Sequence, residues 1–142
     1  MNRISPQEVA ERLERDPRVR YVDVRSVREF EQGHPPGAIN VPLSDHDASG
    51  QMVPNPRFLE VMQRSFPRDA PIVTGCAMGG RSLRAAQMLA AAGFTDVADM
   101  IGGFSGKRMP PVEPGWVDAG LPVRTDGVSY RDVLEGRTPA AE

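Results

Sequence analysis

Apolar positions along the chain switch repeatedly between helical and strand periods, and the switches mark the elements. Val9 and Leu13 share one face of a segment opened by Ser5-Pro6-Gln7-Glu8, a capping box with proline at the first helical position. This predicts a helix to about Arg15, with Glu8–Arg12 and Glu11–Arg15 paired at i,i+4 on its wet side. The whole opening stretch, MNRISPQEVAERLER, reads as one amphipathic helix. Val19 to Val24 reads as a short buried strand. Ser26-Val27-Arg28-Glu29 repeats the capping box and starts a short helix that ends near Gly33. His34-Pro35-Pro36-Gly37 is a stiff turn, and Ala38 to Val41 predicts the next strand.

Pro42 to Pro54 is polar and turn-rich, with little regular structure expected. Asn55-Pro56 is read as the cap of a helix in which Phe58, Met62 and Phe66 recur at i, i+4 and i+8. Pro71 to Gly75 predicts a third strand, Ser82 to Ala92 a strong helix stopped by Gly93, and Asp96 to Met100 a further strand. The proline-rich stretch Lys107 to Gly115 reads as a surface loop, and Trp116 to Val123 returns to the core. Strands alternating with helices argue for an α/β domain with a mostly parallel sheet. The 142 residues suit one domain, with a core over about 4–124 and a polar C-terminal tail over 125–142 that carries one helical turn at Tyr130 to Leu134.

Composition narrows the function. The net charge of -2, with both signs interspersed, offers no basic stripe for nucleic acid or an anionic membrane. No signal-peptide core is visible and the apolar run Ala85 to Ala92 is too short for a bilayer, so a cytoplasmic location is expected. Cys76 is the only cysteine, which excludes an internal disulfide and a multi-cysteine zinc site. His34 and His46, the two histidines, do not stand at metal-ligand spacing from it.

Cys76 is thus either a small apolar filler or a reactive thiol. It stands where the third strand ends and the next helix starts, the place where open α/β sheets bind ligands. Gly79 and Gly80 are expected to let the loop Cys-Ala-Met-Gly-Gly-Arg-Ser take φ > 0 and turn successive N–H groups inward. Such amides, at the positive end of a helix dipole and beside Arg81, stabilise an anion and hence the nucleophilic thiolate. The direct succession of strand, cysteine, paired glycines, arginine and helix favours the reactive reading over packing alone.

These features resemble the rhodanese-like sulfurtransferase family in its single-domain form. Val22-Asp23-Val24-Arg25, Glu29-Phe30 and Gly33-His34-Pro35-Pro36-Gly37-Ala38-Ile39-Asn40-Val41-Pro42 are similar to its opening signature. Cys76 to Ser82 is similar to its active-site loop. Ala92-Gly93-Phe94, Asp96-Val97, Gly102-Gly103, Trp116 and Ala119-Gly120-Leu121-Pro122-Val123 follow in the family's order. The resemblance implies a three-layer domain, a five-stranded parallel sheet flanked by helices. It implies that Cys76 takes a sulfane sulfur from thiosulfate or a persulfide and passes it to cyanide or a thiol. The amides of Ala77, Met78, Gly79, Gly80, Arg81 and Ser82 would cradle that sulfur and the donor's oxyanions. No metal or organic cofactor is implied; the partners are a small donor and acceptor, a protein persulfide being a further candidate. Two stretches depart from the pattern, the long segment Ser105 to Gly115 and the tail from Thr125.

Other conspicuous residues are assigned structural roles. Asp23, Arg25 and Glu29 read as a buried ion-pair brace. His34 is expected to hydrogen-bond its turn, His46 to be solvated, Ser82 to be a first-turn donor and Met78 to shape access to the sulfur. Arg81 is expected to hold the loop and raise the local potential. The apex has no lysine or arginine before Arg81, so no strong preference for the thiosulfate dianion is evident. Two rivals stay open. One is a related phosphatase or arsenate reductase, whose loops place five residues between cysteine and arginine where this chain has four, Ala77 to Gly80. The other is a rhodanese-like interaction module without catalysis.

Overall fold

The computed structural model describes residues 1–138. In chain order the elements are β1 (Asn2–Ile4), α1 (Pro6–Arg15), β2 (Arg20–Asp23), α2 (Val27–Gln32), β3 (Ile39–Asn40), β4 (Ser44–His46) and β5 (Met52–Pro54). There follow α3 (Phe58–Ser65), β6 (Ile72–Gly75), α4 (Gly80–Ala91), β7 (Val97–Met100) and α5 (Tyr130–Leu134). A five-stranded sheet runs in the order β1-β7-β6-β2-β3, every pair parallel, as the resemblance implied.

Period-two alternation divides the core between the two sheet faces. Val22, Ile72 and Val97 join Phe58, Met62, Ala85, Leu89 and Val133, so α3, α4 and α5 cover one face. Tyr21, Val73 and Ala98 join Val9, Phe30 and Trp116, so α1, α2 and the segment after β7 cover the other. Burial on both faces explains why the central strands are mostly apolar, and the buried Asp23, Thr74 and Asp99 that interrupt them are hydrogen-bonded.

Several expectations are corrected. The first residues are not helical: Asn2, Arg3 and Ile4 pair with Ala98, Asp99 and Met100 as an edge strand, and the helix starts only after the Ser5 cap. The stretch Pro42 to Pro54 holds an antiparallel hairpin, β4 with β5, closed by Asp47, which accepts from the amides of Ser49 and Gln51. Its residues are polar or exposed, so no apolar alternation announces it. His46 is half-buried on β4 rather than solvated. Asn55 does not cap α3, whose N-cap is Arg57 without a side-chain bond. The Asn55 amide instead ties Pro42 O to the Tyr130 hydroxyl.

The segment beyond Arg124 is more than a polar tail. Val128 accepts from the Asn40 amide (2.9 Å) and its own amide reaches Ala38 O (3.3 Å), so it lies along β3. Ser129 and Asp132 form a capping box that starts α5, and Val133 is buried in the core. His34 is fully buried, with Nδ1 2.7 Å from Phe30 O and Nε2 against Asp126 O. Its hydrogen bonds therefore reach beyond the turn to this segment. Among the described residues no helix is long and apolar enough to cross a membrane.

Candidate active site

The sheet order reverses direction between β2 and β6: β2 continues through α2 to β3 on one side, β6 through α4 to β7 on the other. Because α2 and α4 lie on opposite faces, a crevice opens at the carboxyl ends of β2 and β6. Cys76 is the residue after β6 and stands in that crevice.

Cys76 is 1% exposed, and its Sγ accepts from the amides of Gly79 (3.1 Å) and Ser82 (3.3 Å). Gly79 is the N-cap of α4, with φ of 109° and no side chain to bond the first turn. The sulfur fills that role, satisfying the third-residue N–H that a serine or aspartate cap would normally take. An anionic sulfur there faces two amide donors and the positive end of a helix 12 residues long. The helix starts at Gly80, two residues earlier than its apolar pattern indicated, so of the two loop glycines only Gly79 takes the positive φ expected of both, and Gly80 is already helical.

Three supports hold the loop. Arg81 spans the crevice to Glu29 on α2 through two bonds, Nη1–Oε1 2.7 Å and Nη2–Oε2 3.0 Å. Burial pushes the Glu29 carboxyl up, but the Arg81 hydrogen bond and charge and the Ser26 capping bonds outweigh it and bring its pKa to about 2. The expected brace is therefore divided: Asp23 pairs with Arg25 (2.7 Å), while Glu29 serves the loop. Arg81's charge is likewise matched by Glu29, leaving the amides as the direct donors to sulfur.

The second support comes from the turn after β7. Phe104 N donates to Cys76 O (2.6 Å) and Ser105 N to Ala77 O (2.9 Å). Gly103, at φ of +67°, permits this approach, since a Cβ there would stand 2.6 Å from the Ala77 carbonyl. Arg25, held by Asp23 and by Gly33 O (2.6 Å), lies over the Phe104 ring 4.6 Å from its centroid. Tyr21 passes beneath Gly75, where a side chain would collide with its hydroxyl, and burial raises its phenol pKa.

The third support lies behind the cradle. Thr74 Oγ1 donates to Ser82 O (3.0 Å) and reaches Asp99 Oδ1 (3.3 Å), while Arg3 Nε donates to Asp99 Oδ2 (3.1 Å). Burial raises the Asp99 pKa against the bonds from Ser82, Arg3 and Thr74. Arg3, Glu29, Gly103 and Asp99 were not assigned to the site from sequence. Arg3 in particular brings a cation to Gly79 from the far edge of the sheet, with Nη2 3.5 Å from where a Gly79 Cβ would stand. Ala77 and Met78 form the apex, and Met78 is 61% exposed at the mouth.

A cysteine sulfur held by helix-starting amides in a parallel α/β crevice defines a domain class, and comparison with known proteins agrees. The chain belongs to the rhodanese-like domain family, whose model matches residues 5–108. Thiosulfate sulfurtransferase 16, chloroplastic, of Arabidopsis thaliana is 46% identical over 105 residues, 74% of this chain and 79% of that protein. The human thiosulfate:glutathione sulfurtransferase is 35% identical over 89 residues, 61% of this chain and 76% of its own. Other relatives are longer, the chain spanning 46% of one and 52% of another. Among solved structures, Rv0390 from M. tuberculosis superposes with a TM-score of 0.73 at 29% identity, covering 89% of this chain and 98% of its own.

Proposed function

We propose that this protein is a sulfurtransferase that carries a sulfane sulfur as a persulfide on Cys76. The observation that carries the reading is the pair of amide bonds, from Gly79 and Ser82, onto Sγ at the start of α4. In the loading step the Cys76 thiolate attacks the outer sulfur of thiosulfate. A new S–S bond forms, the old one breaks, and sulfite leaves with its electron pair. A small persulfide loads the same site with its thiolate as leaving group. In the unloading step cyanide or an acceptor thiolate attacks the outer sulfur, and the electron pair of the breaking bond returns to Sγ. The amides of Ala77 to Ser82 serve the anionic outer sulfur and the donor's oxygens, and they need no reorganisation when charge moves between the two sulfurs.

Sulfur rather than phosphorus chemistry is supported by loop length and by Arg81. Four residues separate Cys76 from Arg81, and the guanidinium that would clamp a phosphoryl group is engaged by Glu29. Relatives named as thiosulfate and thiosulfate:glutathione sulfurtransferases support both donor and acceptor classes. Intact mass spectrometry after exposure to thiosulfate or a small persulfide should show one added sulfur on the native chain and none on Cys76→Ser. Substantial transfer to cyanide by the serine variant would refute the mechanism.

A further inference from the structure

Asp23 and Asp99 are the buried carboxylates among the described residues, and Asp23 is bound by Arg25. Asp99 stands in a cross-strand row. Its partners in register are Thr74 on β6 and Arg3 on β1, so the three residues share one level of the sheet on adjacent strands. Ile72 and Val97 pack in the core with Ala85 and Leu89 of α4, and alternation turns Thr74 and Asp99, two residues on, to the same face. That face lies under the first turn of α4, where Thr74 Oγ1 meets Ser82 O at 3.0 Å.

Ser82, fully buried, is where this row meets the sulfur. Its amide donates to Cys76 Sγ (3.3 Å), its carbonyl accepts from Thr74, and its hydroxyl donates to Gly79 O (3.3 Å). Gly79 is the other residue whose amide reaches Sγ, so both donors to sulfur are tied to Ser82. The Thr74 hydroxyl is held between Ser82 O and Asp99 Oδ1 (3.3 Å), and the Ser82 side chain bonds the same carboxylate. A carboxylate here is costly to bury, and its charge opposes an anion in the cradle. Arg3 offsets that charge through Nε on Oδ2 (3.1 Å), leaving an acceptor in a fixed place behind the loop.

Resting on the sulfurtransferase reading, we infer that Asp99 is a positioning residue for the unloading half-reaction: through Thr74 and the Ser82 side chain it holds the Ser82 amide on Sγ. In unloading, the cyanide carbon attacks the outer sulfur of the Cys76 persulfide. A C–S bond forms, the S–S bond breaks, its electron pair passes to Sγ, and thiocyanate leaves. Charge thus arrives at the atom that the Ser82 and Gly79 amides face, and donors already in place lower that barrier directly. In loading, charge departs from Sγ instead. There the same amides favour the thiolate but blunt its attack, and the two effects largely offset each other. A loosened Ser82 amide therefore slows unloading more than loading. A role confined to holding β1 on the sheet carries no such asymmetry.

The test uses the full chain and times the two half-reactions separately by rapid quench and intact mass, with thiosulfate for loading and cyanide for unloading. Asp99→Leu should slow unloading by about tenfold or more and loading by about threefold or less. Asp99→Asn should recover most of the unloading rate, because its amide can donate to Thr74 Oγ1 while its carbonyl accepts from Arg3. Thr74→Val should repeat the asymmetry and Thr74→Ser should relieve it, which keeps the test decisive if Asp99→Leu does not fold. Equal slowing of both steps in the folded variants, no slowing in either, or an Asp99→Asn as slow as Asp99→Leu would overturn the positioning role while native sulfur transfer still stood. Failure of the native chain to load sulfur or to pass it to cyanide would remove the sulfurtransferase reading and this inference with it.

Discussion

Glu29 and Arg81, 52 residues apart in sequence, close on each other through two parallel bonds of 2.7 and 3.0 Å. The pair joins α2 to the first turn of α4, so helices on opposite faces of the sheet are tied at the rim of the crevice that holds Cys76. Being half-buried and bidentate, it lies between an exposed pair and a fully buried one in strength.

Glu29→Gln should therefore cost roughly 1–2 kcal/mol of stability at neutral pH. The native carboxyl titrates near 2, below its ordinary 4.5, so the ion pair contributes fully above about 4.5 and is lost as pH falls toward 2. Denaturant unfolding of both proteins at pH 7 and pH 3 should show the gap narrowing at the lower pH. A gap that is constant or widens on acidification would contradict the assignment of the pair.

Gly103 and Gly80 should respond oppositely to alanine. Gly103→Ala meets both a left-handed backbone and the Ala77 carbonyl at 2.6 Å, so a loss of about 2 kcal/mol or more is expected, with slowed persulfide formation. Gly80 is helical, without positive φ and with nothing within 4 Å of a new Cβ. Gly80→Ala should be neutral or stabilising by up to about 1 kcal/mol. Thermal unfolding of the two variants side by side provides the comparison.

Removing the chain beyond Arg124 should destabilise the domain severely, although that part reads as a tail. It would expose the edge of β3, free the Ala38 and Asn40 backbone groups from Val128, and uncover His34 where Asp126 now bonds it. Val133→Ala probes the same docking more gently, at roughly 1–3 kcal/mol. Circular dichroism melts should rank the native chain above Val133→Ala and Val133→Ala above the truncation.

A glycine inserted between Met78 and Gly79 lengthens the cradle by up to about 3.5 Å of chain. It should move the Gly79 and Ser82 amides off Sγ and slow sulfur transfer steeply, because small misplacements cost orders of magnitude. Native protein should hydrolyse aryl phosphates negligibly. Assaying both proteins with thiosulfate and with an aryl phosphate, after confirming that both fold, checks loop length as the determinant. Efficient native phosphatase turnover without sulfur transfer would favour the rival chemistry.

The sequence by itself determined what local rules govern. Ser5 and Ser26 announce their helices because each side-chain oxygen accepts from the amide of the Glu three residues on, a bond made within one turn; Ser26 and Glu29 complete the capping box, whereas the Glu8 carboxylate turns to Arg12. The buried strands are legible because burial on both faces favours short, mostly apolar runs rich in valine and isoleucine. Cys76 is legible because strand end, glycines and helix start are contiguous. Only the tertiary structure decided what depends on distant partners. Arg3 becomes a strand residue because β7 offers it a ladder and Asp99 offers it a charge, 96 residues away. Glu29 serves Arg81 rather than Asp23's partner because the sheet order brings α2 and α4 to one crevice. The hairpin of Ser44–His46 with Met52–Pro54 and the docking of Val128 rest chiefly on backbone hydrogen bonds. Those bonds use groups that nearly every residue carries, so side-chain pattern leaves little trace of them.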